Sequence, residues 1–141
     1  MFTYTRKANY HETDKMGIIH HSNYIKWMEE ARIEYMQAIG FGFEKVEEAG
    51  IMSPVAGISI DYKKPVSFGD IVEVRISITR YSGVVQEVSY EFFNSTKQEV
   101  CAQAISKHCY INKEGRVVNL KKVLPQLDAL FSAEFNTADS L

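Results

Sequence analysis

The segment His11–Trp27, HETDKMGIIHHSNYIKW, concentrates residue types that could do chemistry. Two carboxylates, Glu12 and Asp14, precede the adjacent histidines His20 and His21, and a helical pattern follows at once. Three interpretations are open: solvated turn residues, metal ligands, or a catalytic acid aimed at a helix N-terminus. A helix N-terminus carries unpaired N–H groups and a partial positive charge, so it suits a developing negative charge on a substrate oxygen.

A metal site is the weaker interpretation of this segment. His11, Asp14, His20 and His21 are ligand types, but adjacent histidines in a strand or extended loop face apart. Their spacing matches none of the specific zinc motifs. We therefore predict no metal, and we expect His108, in a strand further along the chain, to be a satisfied sheet histidine.

The same segment leads into a predicted helix that runs from Asn23 to Ile39. Ser22 suits the N-cap and Gly40 suits the position just after the helix. Its apolar face comprises Tyr24, Met28, Ala31, Tyr35, Ala38 and Ile39. The other face mostly comprises Glu29, Glu30, Arg32 and Glu34. FEKVEEAG predicts a second short helix.

After Pro54 the hydrophobic period changes from that of a helix to two. GISIDYK, DIVEVRISITR, VSYEFF and EVCAQAISKHCYI alternate apolar and polar residues, and short turn-like breaks separate them. FTYTRKANY predicts a further strand, VLPQLDALF predicts a last short helix, and the tail NTADSL is expected to fray. The pattern predicts an α+β fold in which a long central helix packs on a five- to six-stranded antiparallel sheet.

Composition excludes several classes of protein. The 141 residues are 45% hydrophobic, which favours a single domain over residues 1–141 and argues against disorder. A net charge of -2 gives no field for recruiting nucleic acid or an anionic membrane. Neither a membrane-spanning run nor a signal peptide is recognisable, so we expect a cytoplasmic protein.

The two cysteines are expected to be reduced. Cys101 and Cys109 are eight positions apart in one predicted strand, roughly 26 Å, whereas a disulfide needs Cα atoms within about 7 Å. A thiol nucleophile is not favoured, because no acid or base cluster accompanies either cysteine.

Two stretches carry a family resemblance. The first is YHETDKMGIIHHSNYIKWMEEAR, with matches at Tyr10, Glu12, Thr13, Asp14, Gly17, His21, Asn23, Tyr24 and Glu30. The second is DYKKPVSFGDIVEV, a strand–Pro–Gly-Asp–strand pattern. With both, the chain resembles the hotdog-fold acyl-CoA thioesterases of the 4-hydroxybenzoyl-CoA thioesterase type, and most of all the bacterial branch associated with the Tol–Pal system. The resemblance extends from about Tyr4 to Leu124.

The resemblance implies which groups act on a thioester. Asp14 becomes the catalytic carboxylate, as nucleophile or as base for water, and His21 places its backbone N–H near the thioester carbonyl. The residues between them fit this chemistry, since Gly17 can bend the chain and the backbone at His21 and Ser22 begins a helix. The imidazole of His21 could also polarise the site or stabilise Asp14. A structural role is expected for His20, and Glu12 is expected to be solvated or paired.

The resemblance also implies the ligand and the assembly. The substrate is a thioester of coenzyme A or of acyl carrier protein, so coenzyme A is part of the substrate and no separate cofactor is expected. Lys63, Lys64 and Arg80 are candidates for phosphate contacts, and Tyr24 for the acyl channel. A homodimer with active sites between subunits is expected, with a homotetramer left open. Few charges on the strand faces, at Ala102, Ala104, Cys109 and Ile111, favour cover by a second subunit.

Two other functions are weighed against hydrolysis. A hotdog dehydratase acting on 3-hydroxyacyl thioesters would need a histidine base and a helix-borne acid, and no such motif is present. A non-catalytic module that binds acyl-CoA or acyl carrier protein would keep the pocket but tolerate the loss of Asp14. The sequence does not fix the acyl group.

Overall fold

The computed structural model describes residues 1–139 and combines one antiparallel sheet with four α-helices. In chain order its elements are β1 Phe2–Lys7, a 3₁₀ turn at Tyr10–Glu12, α1 Ser22–Ala38, α2 Phe43–Glu48, β2 Val55–Tyr62, β3 Ile71–Tyr81, β4 Val85–Asn94, β5 Glu99–Cys109, α3 Leu120–Val123 and α4 Pro125–Asp139. The predicted α+β class is confirmed, and the sheet has five strands over the described residues.

The strands lie in the order β1-β3-β4-β5-β2, and each neighbouring pair is antiparallel. Alternating apolar residues account for this sheet, since one face of β3 and β4 is buried and the other is partly exposed. The core on the buried face includes Val74, Ile76, Val88, Tyr90 and Phe92.

Helix α1 covers part of that face over 17 residues. Its buried residues are Asn23, Tyr24, Trp27, Met28, Ala31, Arg32, Tyr35 and Met36. Two assignments from the sequence were wrong: Arg32 was placed on the solvent face but is buried, and Ala38 was placed on the apolar face but is exposed. Ser22 does not act as the N-cap either, because the helix begins at Ser22 and the N-cap position is His21, which makes no side-chain capping bond.

Helix α4 is longer than the sequence indicated. It spans Pro125–Asp139 and buries Leu127 and Phe131, with Phe131 packed edge-on against Tyr81 of β3. The tail was expected to fray from Asn136, but helical backbone continues to Asp139. Ser140 and Leu141 lie outside the described residues.

Strand β2 forms one edge of the sheet, and within residues 1–139 it pairs only with β5. Val55, Ile58 and Tyr62 of this strand are exposed. The Ala102 and Ala104 side chains, which had indicated cover by a second subunit, are already buried within this chain. Cys109 and Ile111 stay partly exposed, and the β2 edge adds exposed apolar side chains that the sequence did not single out.

Candidate active site

A tight turn positions Asp14 before helix α1. Thr13 and Ile19 form a bridge across it, and the Asp14 N–H donates to the Ile18 carbonyl at 2.8 Å. Gly17 closes the turn with φ +79, a conformation that costs glycine little and other residues more. The chain thus reverses between Asp14 and Ile19 and then enters the helix.

The Asp14 carboxylate is partly exposed and only partly engaged. Its Oδ1 accepts the Met16 N–H at 2.8 Å, which is the contact of a turn carboxylate. Its Oδ2 has no hydrogen-bond partner among the described residues. Asp14 shares a cleft of about 470 Å³ with His21, Tyr62 and other residues, so the free oxygen belongs to a group at the wall of a ligand-sized cavity.

The adjacent histidines differ in their contacts. His20 accepts the Ser22 N–H on Nδ1 at 3.2 Å, and the same nitrogen lies 2.8 Å from the Ser22 hydroxyl oxygen. The two imidazoles stack with ring centroids 4.2 Å apart. Of the two expected oxyanion donors, Ser22 therefore has its N–H engaged by His20. The His21 N–H donates to no group within residues 1–139, which leaves it free to meet a substrate oxygen.

Tyr62 is a site residue that the sequence did not single out. Its hydroxyl donates to the His21 carbonyl at 3.2 Å, and its ring lies edge-on to His21 and to Tyr24. Burial raises the pKa of Tyr62, so the hydroxyl keeps its proton at neutral pH. The contact ties strand β2 to the start of α1. In the sequence, the only signal for Tyr62 is its place in the alternating pattern of β2.

Glu12 anchors the loop that carries Asp14. It is buried, and its carboxylate accepts Arg6 Nη2 at 2.9 Å, the Asn9 N–H at 2.8 Å and Trp27 Nε1 at 2.8 Å. Arg6 also pairs with Glu30 of α1 at 2.6 Å. Of the two expected states of Glu12, solvated or paired, the structure shows the paired one. Its buried carboxylate joins β1, the loop and α1.

Backbone groups extend this anchor to the histidines. The Glu12 carbonyl accepts the His20 N–H at 2.8 Å and the Asn23 side-chain amide at 2.9 Å. Asn23 also donates to the His20 carbonyl at 3.2 Å. The loop is therefore held at both ends, which fixes the position of His21 at the N-cap of α1.

The predicted substrate contacts divide into two groups. Lys63 and Lys64 are exposed, and they line the cleft of Asp14. Tyr24 also lines it, although only 3% of its surface is exposed. Arg80 is not brought to this cleft: it lies near the far end of β3 and pairs with Glu87 at 3.7 Å. Within one chain, Arg80 cannot share a phosphate with the two lysines.

The Cys101 thiol is placed for packing. It is buried and donates to the Phe92 carbonyl at 3.2 Å, and burial raises its pKa to about 11. A thiol with that pKa stays protonated and is a poor nucleophile. Cys101 and Cys109 are both free.

Neither a metal-binding cluster nor a membrane-spanning helix is present in residues 1–139. No group of three or more histidine, cysteine, aspartate or glutamate side chains is arranged to hold a metal ion there. No helix in that range has the length and apolar character to cross a membrane.

The sequence of this chain matches a known protein family. Residues 9–132 match the model of the Thioesterase-like superfamily. A putative esterase of Aquifex aeolicus is 35% identical over 86% of this chain and 92% of its own, and the putative acyl-CoA thioesterase YneP of Bacillus subtilis is 35% identical over 84% and 86%.

The fold agrees with a solved structure as well. The DHNA-CoA thioesterase of Staphylococcus aureus superposes with a TM-score of 0.93 at 30% identity, over 98% of this chain and 93% of that one. The expected hotdog fold is confirmed by this neighbour, whereas the Tol–Pal branch and the 4-hydroxybenzoyl-CoA type stay predictions. The chain belongs to the Thioesterase-like superfamily.

Proposed function

We propose that this chain is an acyl-CoA thioesterase in which Asp14 and the His21 N–H act on opposite sides of the thioester carbonyl. The carboxylate attacks the carbonyl carbon, or takes a proton from the water that attacks it. The C–S bond then breaks, and the thiolate of coenzyme A leaves. On the nucleophilic route water then hydrolyses the Asp14 anhydride, which releases the free acid and regenerates the carboxylate. The His21 N–H holds the oxyanion that forms on the way.

One observation carries this proposal: Asp14 and His21 line the same cleft, and a carboxylate oxygen of the first and the backbone N–H of the second have no partner among the described residues. Thioester hydrolysis as the reaction class is confirmed at the level of the family, since relatives bear the names of an acyl-CoA thioesterase and a DHNA-CoA thioesterase. The residue roles are our proposal. A thiolate leaves readily, so the step needs no further electrophile beyond the N–H donor.

The first test replaces the carboxylate by its neutral isostere. We expect Asp14→Asn to lower kcat by about a hundredfold or more, because an amide neither attacks nor takes a proton. Thiol release from short, medium, long and aromatic acyl-CoAs measures the loss, and circular dichroism checks the fold. Asp61→Asn is the matched control, since Asp61 is exposed on β2 outside this cleft.

The result separates the three functions considered for this chain. Full activity in Asp14→Asn would show that Asp14 is a turn carboxylate and would overturn the site. Coenzyme A binding by a wild type that hydrolyses no thioester would favour a non-catalytic binding module. Hydration of a 2-enoyl thioester in place of hydrolysis would favour a dehydratase.

Lys63 and Lys64 are proposed to meet the phosphates of coenzyme A. We expect the double variant Lys63→Ala, Lys64→Ala to raise KM for an acyl-CoA about fivefold, because two exposed charge contacts are lost. The increase should shrink at high salt. The matching thioester of N-acetylcysteamine, which has no phosphates, should show no change in KM.

Arg80→Ala supplies the control for these lysines, because Arg80 is 66% exposed and lies away from the cleft. It should leave KM for acyl-CoA unchanged. An equal rise of KM for both thioesters in the lysine variant would mean that the lysines shape the cleft and do not bind phosphate.

Three wider features remain part of the proposal. The carrier is coenzyme A, with acyl carrier protein as the alternative. The working unit is a homodimer, with a homotetramer left open, and the location is cytoplasmic. Membership of the Tol–Pal branch is proposed on the residues of the first motif alone.

A further inference from the structure

A second cleft, of about 440 Å³, opens beside α1 and ends at a buried guanidinium. Arg32 is 7% exposed, and Nη2 donates to Ser53 Oγ at 2.6 Å and to Tyr110 Oη at 3.4 Å. Its guanidinium also lies 5.2 Å from the centre of the Phe43 ring. These partners are uncharged. The contacts hold the guanidinium in place without neutralising it.

Arg32 therefore differs from the other buried charges. Among the described side chains no carboxylate lies within ion-pair distance of Arg32, whereas Arg6 and Asp70, the latter only 6% exposed, both have charged partners. A buried charge is costly unless an opposite charge accompanies it. Glu29 and Glu47 line the cleft but are exposed. An acidic group of a ligand in the cleft would supply the opposite charge that Arg32 lacks.

A neutral hydrogen-bonding chain lines the same cleft. Tyr90 Oη lies 2.7 Å from Ser106 Oγ, which lies 2.7 Å from His108 Nε2. His108 is 3% exposed, and its Nδ1 is buried without a partner in the described structure. When Tyr90 donates to Ser106 and Ser106 to Nε2, the imidazole proton resides on Nδ1. His108 then offers an unused donor.

The cleft lies further along the same side of α1 as the proposed catalytic site. His21, Ile25, Met28 and Arg32 follow one another at helical spacing on a single face of α1, and Ile25, Met28 and Arg32 line the cleft. Eleven residues at 1.5 Å separate His21 from Arg32, about 16 Å along the helix. Ile25, Met28, Ile33 and Ile58 make apolar walls. A long apolar group reaching from His21 would thus end at a cation.

We infer that Arg32 and His108 form a subsite for a carboxylate at the far end of the acyl group, so that the chain prefers ω-carboxyacyl thioesters to unsubstituted ones. One guanidinium and one neutral imidazole suit a head group with a single charge, whereas a phosphate would call for more cations. This inference rests on the proposed function for its substrate and adds a specificity for the far end of the acyl group.

The test compares matched thioesters that differ only at the far end. Hydrolysis of dodecanoyl-CoA and dodecanedioyl-CoA is measured with the octanoyl and hexadecanoyl pairs as length controls. Wild type should favour the ω-carboxy thioester by about tenfold in kcat/KM, which corresponds to about 1.4 kcal/mol. Arg32→Met should abolish this preference, and Arg32→Lys should retain part of it.

Two further measurements complete the test. Arg75→Met is the matched control, because Arg75 pairs with Glu91 away from the cleft, and it should keep the preference. Calorimetric binding of monomethyl dodecanedioate against methyl dodecanoate, which has no carboxylate, reads the subsite without any turnover, and only monomethyl dodecanedioate should lose affinity in Arg32→Met.

The possible outcomes differ for the two proposals. Equal kcat/KM for both thioesters in wild type, or a preference that survives Arg32→Met, would overturn the subsite and leave thioester hydrolysis intact. Selective binding of monomethyl dodecanedioate with no thioester hydrolysis would support the subsite and overturn the proposed function. An Arg32→Met variant that dissociates into monomers with an unchanged preference would assign the guanidinium to a subunit contact and overturn the subsite.

Discussion

The adjacent histidines at the start of α1 show how neighbouring residues of one type acquire different roles. His20 uses its ring nitrogen to satisfy the Ser22 N–H, so its side chain replaces a helix cap. His21 contributes a carbonyl to Tyr62 and an N–H that stays free. The imidazole of His20 thereby keeps Ser22 from competing with His21 for a substrate oxygen.

At the residue scale, the buried His108 makes the free energy of unfolding depend on pH, and its burial determines the sign of that dependence. Burial, with a smaller effect from the Arg32 charge, lowers the pKa of His108 from 6.5 to about 3. Between these values the unfolded chain binds a proton that the folded chain excludes, so the free energy of unfolding falls as pH drops below 6.5. Urea unfolding at about pH 7 and about pH 5 measures this fall.

In the variant His108→Gln the free energy of unfolding should fall less between about pH 7 and about pH 5, because glutamine does not titrate. His11→Gln is the control, since His11 is exposed, and it should keep the wild-type dependence. An unchanged dependence in His108→Gln would assign the acid sensitivity to other groups.

The sequence predicted which residues lie near one another better than it predicted the contacts of a single residue. Asp14, His21, Lys63 and Lys64 share a cleft, as the segment and the resemblance suggested. Arg32 was misplaced because it sits among glutamates, while its partners Ser53 and Tyr110 are 21 and 78 positions away. Spacing along one helix carries no information about contacts made by such distant residues.

At the scale of elements, the turn at Gly17 controls how Asp14 meets α1. Gly17 has φ +79 and open space where a Cβ would stand, so Gly17→Ala is opposed by backbone strain alone. We expect about 1 kcal/mol of lost stability and a lowered kcat/KM, because the strain shifts Asp14 relative to His21. Thermal unfolding and thioester hydrolysis are measured together.

Gly115 offers a matched control for that turn. It also has φ +79 with nothing within 4 Å of the added Cβ, but it lies outside the cleft. Gly115→Ala should cost similar stability and leave kcat/KM unchanged. A parallel loss of kcat/KM in both variants would show that the effect is general destabilisation.

The elements themselves were largely predictable, and the exceptions have physical reasons. Strands β3 and β4 each bury one face only, so a period of two marks them clearly. The last helix was predicted too short, because its outer residues are polar and its stability comes from Leu127 and Phe131 against the sheet. Such packing overrides weak local propensity.

At the scale of the molecule, the free edge of β2 predicts how copies associate. An exposed edge strand with apolar side chains is a template for pairing with another strand. We expect a homodimer across β2, so Ile58→Lys should weaken self-association about tenfold or more in sedimentation. Ile105→Lys is the matched change on the opposite sheet face, since Ile105 is opposite Ser59 and not Ile58.

The two lysine variants separate the faces that a second subunit could use. Loss of dimers in Ile58→Lys alone would support the β2 edge. Loss in Ile105→Lys alone would move the contact to the open sheet face, and a reduction from tetramer to dimer there would assign that face to the homotetramer.

The Glu12 anchor has a spectroscopic consequence. Trp27 is the one tryptophan in the chain, it is fully buried, its indole N–H donates to Glu12, and Arg6 lies 4.8 Å from its ring centre. Indole fluorescence depends on the polarity and charge around the ring. Tryptophan fluorescence therefore reports on the junction that holds the Asp14 loop, and a change in that loop should be visible in the emission of the native protein without an added label.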